Sequence, residues 1–119
     1  MIAIKDYVTW GYCPHHLLPV KYTFKIGYVP EEKILGLSKL ARIADYCLRD
    51  MPVQEEIPGR IAEMIVKAIH PKGTGVLCHG EHLCMQMRGV ESEHVNAVNS
   101  NLTGCMLDED SAREEFLLL

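Results

Sequence analysis

No stretch of this sequence approaches the roughly 18 to 20 uncharged apolar residues that a membrane span needs. Basic charge is not in excess either. Twelve Lys and Arg against 16 Asp and Glu give a net charge of -4, so no global positive field recruits nucleic acid or an anionic membrane. Any anion site has to be local. The opening MIAIKDYV carries an acid and lacks the apolar core of a signal peptide. Repeats, low-complexity tracts and internal linkers are also missing. At 119 residues that leaves one domain, long enough to bury roughly two-thirds of its unfolded surface. An even cysteine count is lacking too: five cysteines without an export signal point to a cytoplasmic protein with free thiols, and turn attention from disulfides to metal.

The chain that remains shows clear periodicities. Ile2–Val8 reads as a short strand, and Gly11-Tyr12-Cys13-Pro14-His15-His16 as a tight segment that cannot continue a regular element across Pro14. Val20, Tyr22, Phe24, Ile26 and Tyr28 alternate with wetter residues, as in a half-buried antiparallel strand. Leu37, Leu40, Ala41, Ala44, Cys47 and Leu48 recur at helical steps, predicting a helix from Ser38, as N-cap, to about Arg49. Ile57, Ile61, Met64, Ile65, Ala68 and Ile69 predict a second helix, with Pro58 in its first turn and a stop near His70–Gly73. Gly73–Gly80 and His82–Gly89 read as two strands, the second alternating so that His82, Cys84, Gln86 and Arg88 share a face. Val95–Leu107 reads as a fourth main strand, and Ser111-Ala112-Arg113-Glu114 as a capping box opening a last helix. The order predicts an α+β domain with helices on one face of an antiparallel sheet. Cys47, Cys78 and Cys105 read as small buried hydrophobes.

Three clusters could carry chemistry. Cys13-Pro14-His15-His16 with His82-Leu83-Cys84 supplies thiolates and imidazoles, the donors zinc prefers; two Cys and one His would leave a fourth position for water, as in a catalytic site. A chance gathering in a chain with six His is the plain alternative, and His70, His79 and His94 stand apart as surface or structural residues. Gly36-Leu37-Ser38-Lys39-Leu40-Ala41-Arg42 brings a helix N-terminus, a hydroxyl and two cations together, which suits phosphate, although a solvated basic face has the same composition. In Gln54-Glu55-Glu56 an ionised carboxylate could accept two parallel N–H bonds from a guanine-type edge, or simply oppose the dipole of the following helix.

CPHHLLP, ILGLSKLARI, PVQEE, EHLCMQMRGV and the closing AREEFL, in that order and at that spacing, resemble the catalytic domain of GTP cyclohydrolase I over nearly the whole chain, Lys5 to Phe116. The resemblance implies the tunnelling fold: a four-stranded antiparallel sheet with two helices on one face, whose copies assemble into a ring, two rings typically stacking as a decamer with active sites between subunits. It places zinc on Cys13, His16 and Cys84, catalytic proton transfer on His15 and His82, phosphate or site-lining contacts on Ser38, Lys39, Arg42 and Arg88, and guanine-edge contacts on Gln54 and Glu55. The implied reaction is attack of zinc-activated water on C8 of GTP, ring opening, loss of formate and closure to 7,8-dihydroneopterin triphosphate.

Two departures from the family pattern bear on substrate. The family carries a basic N-terminal helical extension ahead of the strand matching Ile2–Val8, where this sequence starts, implying thinner phosphate binding. The Thr/Ser-rich stretch after Arg88-Gly89-Val90 is replaced by Asn96-Ala97-Val98-Asn99-Ser100-Asn101. Two other readings therefore stay open: a zinc hydrolase of the same fold acting on another purine nucleotide or a pterin-like ring, and a non-catalytic nucleotide- or pterin-binding module. Retention of both His15 and His82 argues for catalysis.

Overall fold

A computed structural model describes residues 1–119. Four strands, β1 (Ile2–Tyr12), β2 (Pro19–Val29), β3 (Gly73–His82) and β4 (Ala97–Gly104), form one antiparallel sheet in sequential order. Between β2 and β3 lie α1 (Leu37–Cys47), a 3₁₀ turn (Gln54–Glu56) and α2 (Ile57–Ile69). One helical turn, α3 (Leu83–Gln86), follows β3; α4 (Cys105–Asp108) and α5 (Asp110–Leu118) end the chain. No helix is long and apolar enough to cross a membrane.

The alternation of β2 determines the core. Val20, Tyr22, Phe24, Ile26 and Tyr28 are buried on one sheet face, beside Val76 and Cys78 of β3. Leu40, Ala44 and Cys47 of α1 and Ile57, Ile61, Ala62, Ile65 and Ile69 of α2 belong to the same apolar cluster. Burial pushes the Cys78 thiol up to about 12, so it stays a neutral core group. Cys47 is likewise buried, its Sγ 3.5 Å from Met64 Sδ, whereas Cys105 is only half-buried. The terminal helix packs elsewhere. A Cβ at Gly27 would meet the Phe116 ring at 3.3 Å and one at Gly75 would meet it at 2.9 Å. Both glycines alternate with the core residues Ile26 and Val76, so Phe116 occupies a slot on the opposite sheet face.

Several expected boundaries move, and one element changes type. β1 runs on to Tyr12, so Gly11 and Tyr12 are strand residues, and its register shifts between Ile4 and Tyr7, where Asp6 has φ 56. α1 is preceded by Gly36 and has no side-chain cap, which puts Ser38 inside its first turn. α2 matches its expected span, with Pro58 in the first turn and a left-handed His70 closing it. β4 is shorter than Val95–Leu107. Gly104, at φ 56, ends it where a Cβ would strike the Lys72 carbonyl. α5 starts at Asp110 without a capping box; Arg113 pairs with Asp110 and donates to the Leu107 carbonyl at 2.6 Å.

The expected strand His82–Gly89 does not exist. β3 ends at His82, opposite Val20, and Leu83–Gln86 turns into a helix closed by Met87 N–H donating to the Leu83 carbonyl at 2.9 Å. Backbone partners run out on both sides. β2 begins one residue earlier, at a proline without an N–H, and β4 pairs only as far as Gly80. Leu, Met and Gln then follow their good helix propensity. His82, Cys84, Gln86 and Arg88 therefore do not share a strand face.

Candidate metal and nucleotide site

Cys13 stands at the mouth of the β1–β2 connection. Its N–H donates to the Leu18 carbonyl at 2.9 Å and its carbonyl accepts from Leu17 N–H at 2.8 Å, with Leu17 left-handed at φ 54. This turn buries the Cys13 thiol and leaves His15 and His16 exposed, their Nδ1 atoms 3.7 and 3.9 Å from Cys13 Sγ. From the other side, the α3 turn brings Cys84 Sγ to 4.0 Å from His82 Nδ1. Ligand atoms of Cys13, His82 and Cys84 all lie within 4.8 Å of one another.

This donor set fits zinc. Bonds of about 2.3 Å to sulfur and about 2.0 Å to nitrogen set neighbouring ligand atoms of a tetrahedral ion roughly 3.5 to 3.8 Å apart, close to the separations here. The structure thus gathers the expected ligands Cys13 and Cys84 with three imidazoles, and His82 approaches both sulfurs as His16 approaches Cys13. Burial, then the neighbouring Cys13, raises the Cys84 thiol. Burial likewise lowers His82, an effect Glu55 opposes and His15 adds to.

A pocket of about 240 Å³ opens over these groups, lined by His15, His16, Gln54, Glu55, Met85 and Asn99 among others. It is smaller than the roughly 300 to 1,000 Å³ typical of small-molecule sites. Gln54 is buried. Its Nε2 donates to the Ala97 carbonyl at 2.8 Å and its Oε1 lies 2.6 Å from His82 Nε2, while Glu55 is exposed. Ser38, Lys39 and Arg42 are not in this pocket. They stand exposed or nearly so on α1, where Lys39 and Arg42 line a separate open groove with Ile43 and Tyr46. Arg88 is exposed just beyond α3.

Tyr22 and Asn99 are site neighbours that motif reading missed. Tyr22 stands edge-on to His82 with ring centroids 6.3 Å apart, and its alternation marked it only as core. Asn99 lies in the Asn-containing segment already set apart by its lost hydroxyls. A larger cleft of about 470 Å³ between α1 and α2 holds Arg60, Asp50 and Glu63. Arg60 pairs there with Asp50 at 2.7 Å, and Cys47 is its one thiol, so this cleft does not gather the Cys and His donors that the smaller pocket does.

The family model for GTP cyclohydrolase I matches residues 1–119. GTP cyclohydrolase 1 of Drosophila melanogaster is 43% identical over the whole of this chain and 37% of its own length. The Coxiella burnetii enzyme of that name is 42% identical over 65% of its length, and the human one 41% over 48%. The chain thus spans between about a third and two-thirds of these relatives. A solved structure of the archaeosine synthase QueF-Like, in the apo form, shares the fold at TM-score 0.66 and 13% identity, covering 87% of this chain and 92% of that one. On the full-length family match and these identities, the chain belongs to the GTP cyclohydrolase I family.

Proposed function

We propose that this chain is the catalytic domain of a zinc-dependent GTP cyclohydrolase, opening the purine at C8 with loss of formate and forming 7,8-dihydroneopterin triphosphate. The observation that carries the reading is the meeting, in one pocket, of two thiols, three imidazoles and the Gln54-Glu55 pair. Cys13, His16 and Cys84 hold the metal, as the family resemblance implies. When bound, zinc supplies Lewis acidity that brings the pKa of a water toward about 7. His15 and His82 move protons: an imidazole beside the reacting atoms can accept one and return it to the opened ring. Glu55, exposed beside the pocket, accepts the two N–H groups of a guanine edge.

The close approach of His82 to both sulfurs favours a second assignment of the third ligand, with His82 on the metal and His16 moving protons. Metal content of His16→Ala and His82→Ala separates the two, since only the ligand variant loses zinc.

The triphosphate needs more than one chain. Ser38, Lys39 and Arg42 stand outside a pocket too small for a whole nucleotide, so this hydroxyl and these two cations serve the site of an adjacent copy. Both sheet edges, β1 and β4, are unpaired within the chain, and Val8, Trp10 and Tyr12 are exposed along one of them. Such an edge suits closure into a ring, and the family's decamer supplies it. The protein acts in the cytoplasm, where its thiols stay reduced.

Mass spectrometry of GTP incubated with zinc-loaded protein tests the activity, with a chelated control and dGTP, GDP and GMP alongside. Formate and dihydroneopterin triphosphate, lost on chelation, are expected. Intact GTP from folded, metallated protein overturns the reading.

A further inference from the structure

Gln54 sits in a 3₁₀ turn whose next two residues, Glu55 and Glu56, are exposed, yet it is itself only 5% exposed. Its side chain crosses β3 over Gly80. A Cβ there would lie 2.8 Å from Gln54 Cδ and closer still to Oε1, so any larger residue would expel the amide. Gly80 does not have a positive φ, so glycine is needed for space and not for backbone conformation.

The two hydrogen bonds of the amide determine its orientation. A backbone carbonyl only accepts, so the NH₂ group must face Ala97, 2.8 Å away, and Oε1 must face His82. Oε1 also only accepts, so the proton between it and His82, 2.6 Å away, belongs to His82 Nε2. In the neutral ring the lone pair then lies on Nδ1, the atom 4.0 Å from Cys84 Sγ.

The geometry points to Gln54 as a positioning residue that locks His82 in the Nε2–H tautomer and presents Nδ1 to the Cys84 thiol. It acts through His82 and does not touch the substrate, which leaves the guanine edge to Glu55. An N–H donated to a carbonyl oxygen is the usual device for fixing a ring that ligates a metal or transfers protons. The inference rests on the proposed function only for what Nδ1 does, and it serves either role of His82.

Nitrogen-15 NMR of histidine-labelled, zinc-loaded protein reads the tautomer directly. The His82 proton is expected on Nε2 and absent from Nδ1 at neutral pH. This pattern disappears in Gln54→Leu, and also in Gly80→Ala, which displaces the amide without altering it. A proton on Nδ1 in the unsubstituted protein overturns the inference whether or not that protein turns over GTP, so its failure is separate from failure of the activity. In kinetics, Gln54→Leu is expected to lower kcat about 10- to 100-fold while KM for GTP stays within about twofold. Gln54→Glu keeps the acceptor and recovers part of kcat. A raised KM with unchanged kcat makes Gln54 a ligand contact and also overturns it.

Discussion

His82 and His16 both line the pocket around the Cys13 and Cys84 thiols, yet their rings are held in different ways. His82 is the last residue of β3, paired there with Val20 of β2, half-buried, fixed by Gln54 on one nitrogen and by the edge of Tyr22 on its flank. His16 is exposed on the β1–β2 connection, and its only hydrogen-bonding partner is the Cys13 thiol at 3.9 Å. Binding a metal therefore costs the two sides unequally. The His82 and Cys84 side is ordered by folding, whereas the His15 and His16 side chains still have rotamer freedom to lose. On the proposed zinc reading, such a site is half built by the protein and completed by the ion.

The largest effect that could break this comparison is on metal retention. Cys13→Ala and Cys84→Ala each remove a proposed thiolate ligand, and zinc affinity is expected to fall by more than the roughly 100-fold that loss of a supporting hydrogen bond costs. Competition against a chelator measures it. Near-normal zinc affinity in either variant would take that cysteine out of the site.

Removing the metal from the unsubstituted protein should separate the two sides. With zinc chelated, hydrogen exchange at the Cys13 and Leu17 amides is expected to quicken by roughly tenfold, because the turn they close loses its anchor. Amides of β3, Gly73–His82, belong to the core ladder and should exchange as before. Equal quickening on both sides would mean that the metal orders the whole site and that neither half is preformed.

How much of this was legible in the sequence follows the same division. The inward row of β2 and the apolar steps of α1 and α2 are periodic, because each is a surface buried on one side only, and they appear in the structure as read except at the exposed Leu37 and Ala68. The site residues were legible as donor types at recognisable spacing. Their arrangement was not. His82 and Cys84 looked like neighbours on a strand face, but where β3 runs out of hydrogen-bonding partners is decided by Pro19 and Ala97, far away in sequence. The α3 turn does by folding back what alternation was expected to do. Gln54 was read with Glu55 as a guanine-edge contact, on the resemblance and on the carboxylate beside it. Its burial depends on Gly80, 26 positions further on, and nothing local announces that the two meet.

The smallest expected effect tests whether the division runs through the strand itself. His79 lies between buried Cys78 and buried Gly80, but it points to the other sheet face, opposite Thr23 and Val98, and is exposed. Strand alternation sends residues 78 and 80 inward and 79 outward, so His79 is separated from the thiols by the sheet although it stands three residues from His82. His79→Ala is expected to leave zinc stoichiometry unchanged and stability within about ±0.5 kcal/mol, read by metal analysis and denaturant titration. The contrast is with Gly80→Ala one position along, where a single methyl meets the Gln54 amide and overpacking costs on the order of 1 to 3 kcal/mol. A loss of zinc in His79→Ala would show that a group on the outer face reaches the metal, and the preformed half of the site would then extend through the sheet instead of ending at its inner face.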